Sequence, residues 1–471
     1  MTDRSVAALG ADRADRADGA DGADGADRAD RADVLTRAVR PGDAAYERSR
    51  RALAVSGVVP DDRPALVVAA RDAADVASAV RHAFRAGRPV TVRSGGHGTA
   101  FTALAQGALA LDVSALDDVR VDRAARTARV GPGATSLALA QSLDGSGLAF
   151  PVGHKASVGL GGFLLAGGNG WNQGAWGSAC ESVRDAEVVL ADGRRTVLDD
   201  ASDPEAFAVL RGAGPAFPGV VTSFGLQLWP EPVVRRRSVR MRAAGRDGLT
   251  AIGTWADALA AVVAPEVELT LVLAPAGGVV ASVTAFGRDH AHADELLEPV
   301  SRALPATTSA VVSSATTMPG LLLDEPARPG AGCVAQQAWS RAGYAEVLPR
   351  LAPHLAGAPS AASSVLVSSA SYRRSAPPSP DPLHRPLGTL TVAAYAVWSP
   401  GEDDDANLAW PTTTLAALAG GTTGHYVGEA DLRRTPDRLA RCWEAGGIER
   451  VQAVRARLDP AGVFHPPPGL A

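Results

Sequence analysis

From Gly153 to Trp171 the chain reads Gly-His-Lys-Ala-Ser-Val-Gly-Leu-Gly-Gly-Phe-Leu-Leu-Ala-Gly-Gly-Asn-Gly-Trp, and Gly174 and Gly177 follow closely. Glycines spaced this tightly among apolar residues leave long runs of backbone N–H open to a partner, because no Cβ stands in the way. Such a surface suits a large, flat, polyanionic ligand better than a small one. A second glycine loop lies upstream at Val90–Thr99, read Val-Thr-Val-Arg-Ser-Gly-Gly-His-Gly-Thr. There an alternating β-type run, Val90 and Val92, feeds Ser94-Gly95-Gly96, and His97 stands at the loop tip. This loop has neither the G-x-G-x-x-G spacing of a dinucleotide-binding turn nor the Gly-Lys-Ser/Thr of a P-loop, so neither common nucleotide fingerprint accounts for it.

The remaining composition narrows the classes. A chain of 471 residues can hold two or three domains with sizeable cores, and 46% hydrophobic residues suits a globular protein. Net charge is −5, with acidic and basic residues interspersed, which gives no electrostatic case for nucleic acid or an anionic membrane. Cys180, Cys333 and Cys442 are odd in number and far apart, so they predict neither a metal cluster nor a disulfide framework. No apolar run is long enough to span a bilayer, and the N-terminus lacks a signal peptide's apolar segment. The expectation is a soluble cytoplasmic protein, monomer or homodimer, without a metal, that acts on a small molecule.

Ala11–Asp33 repeats Ala-Asp-Arg or Ala-Asp-Gly without an apolar stripe, which predicts a disordered low-complexity tail over residues 1–33. Beyond it, strands are expected at Pro64–Ala69, Val90–Val92, Ala108–Val113, Asp117–Asp122 (Val119 and Val121 inward) and Thr127–Val130. Helices are expected at Tyr46–Arg51, at Asp72–Ala86 with Val76, Val80 and Phe84 inward, and at Ser136–Leu143. Asp192-Gly193 predicts a hairpin between Ala186–Leu190 and Arg195–Leu198. Glu205–Leu210, Gly219–Phe224 and Leu226–Trp229 complete this half, in which short strands alternate with helices. After Pro230-Glu231-Pro232 the pattern changes to strands at Ser238–Arg242, Glu266–Leu273, Val279–Phe286, Thr307–Ser313, Ser364–Ala370 and Leu390–Trp398. Helices at Leu249–Val263, Ala293–Ala303 and Ala406–Ala419 separate several of them, so an antiparallel sheet with helices on one face is expected. Pro319–Pro329 and Pro377–Pro386 read as loops, and Ile448–Leu458 as a last helix.

Several motifs, in order, resemble the FAD-linked oxidases of the vanillyl-alcohol oxidase superfamily, in the berberine-bridge-enzyme-like branch. They are Arg93-Ser94-Gly95-Gly96-His97, Val158-Gly159-Leu160-Gly161-Gly162, Gly167-Gly168-Asn169-Gly170, Glu187–Gly193, Arg211-Gly212-Ala213-Gly214, and Asp459-Pro460 with Phe464. The resemblance covers Val39 to about Val233 and returns from about Tyr395. It implies an α+β fold: a two-subdomain FAD-binding domain of the PCMH type, plus a substrate domain whose antiparallel sheet is flanked by helices. The implied boundaries are 34–233 for the FAD-binding domain (core about 60–232), 234–422 for the substrate domain, and 423–471 for a C-terminal segment returning to the FAD domain.

The resemblance also implies chemistry. Relatives join the histidine after Ser-Gly-Gly to the 8α-methyl carbon of FAD, and a neutral imidazole at His97 is nucleophilic near neutral pH. Many relatives add a cysteinyl link at the position of Lys155; a lysine cannot form it, so attachment through His97 alone is expected. The implied cofactor-binding set is Arg93, Ser94, Gly95, Gly96, His97, Gly98, Gly153, Lys155, Val158, Gly159, Gly161, Gly162, Gly167, Gly168, Gly170, Val188 and Tyr426. His154 and Lys155 either face the flavin edge, where a cation stabilises a reduced anionic flavin, or are solvated. Val158 occupies the place that governs oxygen approach in the family, and valine there resembles the oxidases. Where relatives read Tyr-x-Asn-Tyr-x-Asp, this chain has Tyr426-Val427-Gly428-Glu429-Ala430-Asp431. Glu429 is one candidate base and Tyr426 its rival; Glu429 as a structural ion-pair partner stays open. Gln336, Trp339, Tyr395 and Trp398 either line the substrate pocket or pack in the sheet. The implied activity is an FAD-dependent oxidase, removing hydride from a C–H next to O or N of a sugar or secondary metabolite and reducing O2 to H2O2. A flavin dehydrogenase with another acceptor, and a flavin-binding protein without turnover, are the alternatives.

Overall fold

The computed structural model describes residues 34–243, 245–302, 304–323, 330–369 and 381–470. The low-complexity tail, and the parts of the two proline-rich spans at 324–329 and 377–380, lie outside the described residues. The protein is mixed α+β; among the described residues its N-terminal half carries two sheets of three and five strands and a two-stranded one (Leu148–Ala149 with Trp229–Pro230), and a large sheet follows residue 232.

The first sheet is three parallel strands in the order Leu66–Ala69, Leu109–Asp112, Val90–Arg93. The helix Ala73–Arg85 crosses between two of them and starts at Asp72, whose carboxylate accepts from the backbone N–H of Ala74 and Asp75 at 2.9 and 2.8 Å. Its buried stripe is Val76, Val80 and Ala83, whereas Phe84 is 46% exposed, contrary to the expected inward position. At 3.6 residues per turn, the residue seven after Val76 stays over the sheet better than the eighth.

The second sheet is antiparallel, in the order Val119–Asp122, Thr127–Val130, Val220–Gln227, Val183–Val189, Arg195–Asp199. The two segments expected on either side of Gly225 are one continuous strand. Asp185 of the neighbouring strand sits where a Cβ of Gly225 would be, its carboxylate oxygen 2.2 Å from that point, so glycine is the residue that lets the pair close up.

After Pro232 the chain builds an eight-stranded sheet, antiparallel throughout, in the order Thr308–Thr316, Val233–Arg242, Gly278–Gly287, Val267–Leu273, Ser364–Ser369, Leu390–Trp398, Gly332–Ser340, Thr422–His425. Alternation along each strand splits its side chains between two faces. Leu269, Leu271, Val283, Val334, Val367, Val392 and Trp398 form a core beneath the helices Gly245–Ala260, Tyr344–Ala356 and Asp404–Ala416. The opposite face looks toward the glycine loops of the N-terminal half.

Four expectations need correction here. The strand Gly332–Ser340 and the helix Tyr344–Ala356 were not anticipated; Pro349 and Pro353 inside that helix obscure an apolar stripe at Tyr344, Val347, Leu348, Leu351 and Leu355. The single helix expected at Ala293–Ala303 is two, His290–Leu296 and Glu298–Arg302. Pro299 has no N–H to continue the first but fits the opening turn of the second. Met318–Leu323, expected as loop, is a short helix with Pro319 in its first turn. The last strand of the large sheet also runs to His425, past the boundary expected at 422.

The C-terminal tail returns to the first sheet. Asp459, buried, accepts from Val463 and Phe464 N–H at 2.7 and 2.8 Å. That turn aims Val463 and His465 at Val90, whose N–H donates to Val463 and whose C=O accepts from His465 at 2.7 and 2.9 Å. The strand leading to His97 is thereby held on both sides.

Candidate functional site

The two glycine loops touch each other. A Cβ on Gly95 would lie 2.4 Å from the Gly159 backbone nitrogen, and a Cβ on Gly159 would lie 2.5 Å from the Ser94 hydroxyl. Only paired glycines permit this approach. The Ser94 hydroxyl donates to the Pro132 carbonyl at 2.6 Å, and Arg93 pairs with Asp112 at 3.1 Å, so the loop is tied down behind His97. Gly98, next to His97 in the chain, and Gly162 are by contrast exposed, and a Cβ on either would meet nothing within 4 Å.

His97 Nε2 lies 3.0 Å from the Ser157 hydroxyl. Burial, reinforced by the Lys155 charge, lowers the His97 pKa to about 4 against a partly opposing hydrogen bond from Ser157. The imidazole is therefore neutral at physiological pH.

Two contacts join the segment after Gly153 to the large sheet, and a third extends one of them to Glu429. His154 Nε2 meets Glu268 Oε1 at 2.7 Å, with its ring 4.3 Å from that of Trp171. Burial works against the charged imidazolium, but Glu268, with Glu429 farther off, outweighs it and raises the His154 pKa. The Lys155 ammonium sits 5.1 Å over the Tyr395 ring, and the Tyr395 hydroxyl donates to Glu429 Oε1 at 2.6 Å. Burial raises the Glu429 pKa, with Tyr395, Lys155 and His154 acting in the opposite direction. His97, Lys155, Tyr395 and Glu429 thus converge on one region between the loops and the sheet.

Tyr426 is placed differently. It is 6% exposed, and its hydroxyl accepts from the Gly168 N–H at 3.2 Å. Its ring meets the buried His384 edge-on, with centroids 5.5 Å apart. Burial raises the Tyr426 pKa well above the usual phenol range. The space beside Gly167 is filled by His384, whose ring would lie 2.2 Å from a Cβ there, and Gly170 packs on the Pro151 carbonyl. Gly153 packs against Phe163, Gly161 against Pro132, and Val188 lies in the core against Gly219. Val158 is half-buried and packs against the core of the N-terminal half.

Of the four residues considered for the pocket, Tyr395 and Trp339 are on the face toward the loops. Gln336 and Trp398 are on the other: Gln336 binds Arg438 at 2.9 Å and Trp398 donates to Asp404 at 2.6 Å. Strand parity is the reason, since neighbouring residues take opposite faces. Glu268 and His384 escaped notice in the sequence. The alternation Val267–Leu273, with Glu268 and Thr270 at the polar positions, carried the signal for the first; nothing local marks the second.

His384 and His425 are each 3% exposed, and burial lowers both to about 4. The folded protein keeps them neutral while the unfolded chain takes up protons below the ordinary value near 6.5, so each favours unfolding as pH falls from 6.5 toward 4. The loss approaches about 3 kcal/mol per group on the acid side. The raised carboxyl of Glu429 works in the opposite sense. The melting temperature of His425→Asn, which keeps an N–H for the Gln337 carbonyl now accepting from Nδ1 at 3.0 Å, should therefore fall less steeply with acid than that of the parent. Equal slopes in a calorimetric pH series would refute this.

Residues 64–199 match the family model described as "FAD binding domain". Over 273 residues the chain is 30% identical to the FAD-linked oxidoreductase nodO of Hypoxylon pulicicidum, covering 57% of this chain and 60% of that protein. It is 37% identical over 170 residues to (R)-6-hydroxynicotine oxidase of Paenarthrobacter nicotinovorans, covering 36% and 37%. These alignments span less than two thirds of either relative. The fold is similar to that of Physcomitrella patens BBE-like 1, with a TM-score of 0.79 and 18% identity over 93% of this chain and 98% of that one.

The chain carries a flavin-binding fold. It contains an FAD-binding domain over residues 64–199, and its overall architecture is similar to that of Physcomitrella patens BBE-like 1. The residues present fit that cofactor: open backbone at Gly98 and Gly162, a neutral imidazole at His97, and a cation at Lys155 close enough to act on that imidazole. Among the described residues no helix is long and apolar enough to cross a membrane.

Proposed function

We propose that this protein is an FAD-dependent oxidoreductase acting on a small molecule, and within that class an oxidase whose flavin is bonded to His97 alone. The observation that carries this reading is the convergence of His97, Lys155, Tyr395 and Glu429 between the glycine loops and the sheet. Bound flavin supplies a two-electron acceptor, which no side chain provides. The chain's own residues hold it and handle the proton. Nε2 of His97 is engaged by Ser157, which leaves Nδ1 as the nitrogen for the bond to the cofactor. Lys155, in place of a second link, offers positive charge where electron density gathers.

Glu429 accepts the proton released from the O–H or N–H of the substrate, and Tyr395, hydrogen-bonded to it, positions that carboxylate. Buried Tyr426, already accepting from Gly168, serves structure instead. Val158, at the position that governs oxygen approach in the family it resembles, is valine as in oxidases, which favours O2 as acceptor over a protein or quinone. The fungal and bacterial relatives point to secondary metabolites or heterocyclic amines as the substrates to try first.

The test is the visible spectrum of the purified protein, followed by anaerobic mixing with secondary amines, alcohols and oligosaccharides. The expected result is a yellow protein bleached by one of these classes, recoloured by air, with one H2O2 per product. Bleaching with recolouring only by an artificial acceptor would assign a dehydrogenase. A colourless protein that FAD does not reconstitute would remove the proposal altogether.

A further inference from the structure

The large sheet has two free edges. One is the four-residue strand Thr422–His425, which the chain continues past at once. The other is the nine-residue strand Thr308–Thr316, read Thr-Ser-Ala-Val-Val-Ser-Ser-Ala-Thr, which among the described residues pairs only with Val233–Arg242. A long edge strand is a template for another strand, and proteins that remain single usually blunt it with lysine, proline, a bulge or a covering helix. This edge carries no charge and no proline. Its irregularity lies at the far end, opposite Arg240 and Met241, so the run from Ala310 to Thr316 is regular. Val311 to Ala315 are all exposed, Val311 at 43% and Val312 at 50%. Of the five arginines of the adjacent strand, Arg235 and Arg237 are held by hydrogen bonds. Arg237 donates to the Ser313 hydroxyl and the Leu297 carbonyl, and Arg235 is taken up by Asp294 and His290.

We propose that a second copy of this chain docks here, its own Thr308–Thr316 strand running antiparallel to this one about a two-fold axis at Val312. Symmetry makes the strand its own complement. With the axis at Val312 the regular run pairs with itself: Val312 faces Val312, Val311 faces Ser313 and Ala310 faces Ser314, the bulge at Ser309 interrupting the register beyond. Every pair is small, hydroxylic or β-branched, the kinds that sit well across antiparallel strands, and no like charges meet. The outward backbone N–H and C=O groups of both edges gain partners. The chain's own N-terminal repeat is a poor rival, because a charge at nearly every third residue matches neither the two-residue period nor the neutral surface of the edge. A strand of nine residues is only about 30 Å long, so the pairing by itself buries less than a standard stable interface. The dimer is therefore reversible.

Sedimentation velocity of the flavin-loaded protein, over a roughly hundredfold concentration range, tests this. The weight-average mass should rise toward twice the chain mass, and Val312→Lys should hold it at one chain without changing flavin content or melting temperature. Under mild oxidation, Val312→Cys should form a disulfide-linked dimer, whereas Val280→Cys, exposed on a face of the same sheet, should not. A parent protein that stays single at every concentration, or a Val312→Lys variant that associates as the parent does, would overturn the proposal. So would a dimer in which Val312→Cys fails to cross-link. None of these readouts depends on catalysis, so they stand or fall apart from the proposed activity.

Discussion

His97→Ala should lose the flavin on denaturation. With the parent protein, acid precipitation should leave the yellow colour in the pellet; with the variant, the pellet should be white and the FAD should appear in the supernatant. The difference is all or nothing because a covalent bond survives unfolding and hydrogen bonds do not. The same structure makes the effect specific. His97 adjoins the open glycine Gly98, and its pKa of about 4 keeps the ring neutral and nucleophilic throughout the physiological range. Lys155 stands where a thioether would need sulfur, so nothing is expected to take over the tether. Colour persisting in the variant pellet, or absent from that of the parent, would show the tether to be elsewhere or missing. The variant should still bind FAD reversibly, since the loop contacts made by Ser94, Gly95 and Gly159 do not involve the imidazole.

Glu429→Gln should cut the rate of anaerobic flavin reduction by about 10²- to 10⁴-fold, the usual contribution of a positioned general base. Gln keeps a group able to accept from the Tyr395 hydroxyl, now at 2.6 Å, so folding and flavin binding should be preserved. The pH dependence fixes the role. Burial raises the Glu429 pKa, so in the parent the rate should climb on the acid side through a point above the ordinary carboxyl value as the base ionises. That limb should vanish in the variant. Tyr395→Phe should lower the rate less and move the limb, because it removes the hydrogen bond that favours the ionised carboxylate. Tyr426→Phe is the contrast: it leaves the Gly168 N–H without its acceptor, costing about 1–3 kcal/mol of stability, with a smaller effect on flavin reduction. A Tyr426→Phe loss in rate exceeding that of Glu429→Gln would reverse the assignment.

Much of the fold is legible in the residues because its signals are local. Tyr46–Arg51, Thr127–Val130, Ser136–Leu143 and Leu390–Trp398 have the ends that periodicity and capping predict. The errors fall where a long-range contact decides. Gly225 reads as a break until Asp185 is seen to need its missing Cβ, and the helix Tyr344–Ala356 is hidden by prolines that its packing tolerates. The candidate site divides in the same way. The glycine loops and His97 are contiguous and announce themselves, whereas Tyr395 and Glu268 are single residues on strands far apart in the chain.

The glycine stretch from Gly153 and the Ser-Gly-Gly-His loop, by themselves, determined the kind of ligand, a large, flat, polyanionic one; the FAD-binding fold and the significance of Lys155 came from the resemblance their ordered motifs carry. They could do so because backbone access is a property of which residues lack a Cβ. Only the tertiary structure decided that the two loops close on each other, that Tyr426 is buried against Gly168, and that Glu429 meets Tyr395. It also decided that Gln336 and Trp398 turn away from the loops. The physical reason is strand parity and long-range register: a one-residue shift exchanges the two faces of a sheet, and the partner strands that set the register lie tens to hundreds of residues away in sequence.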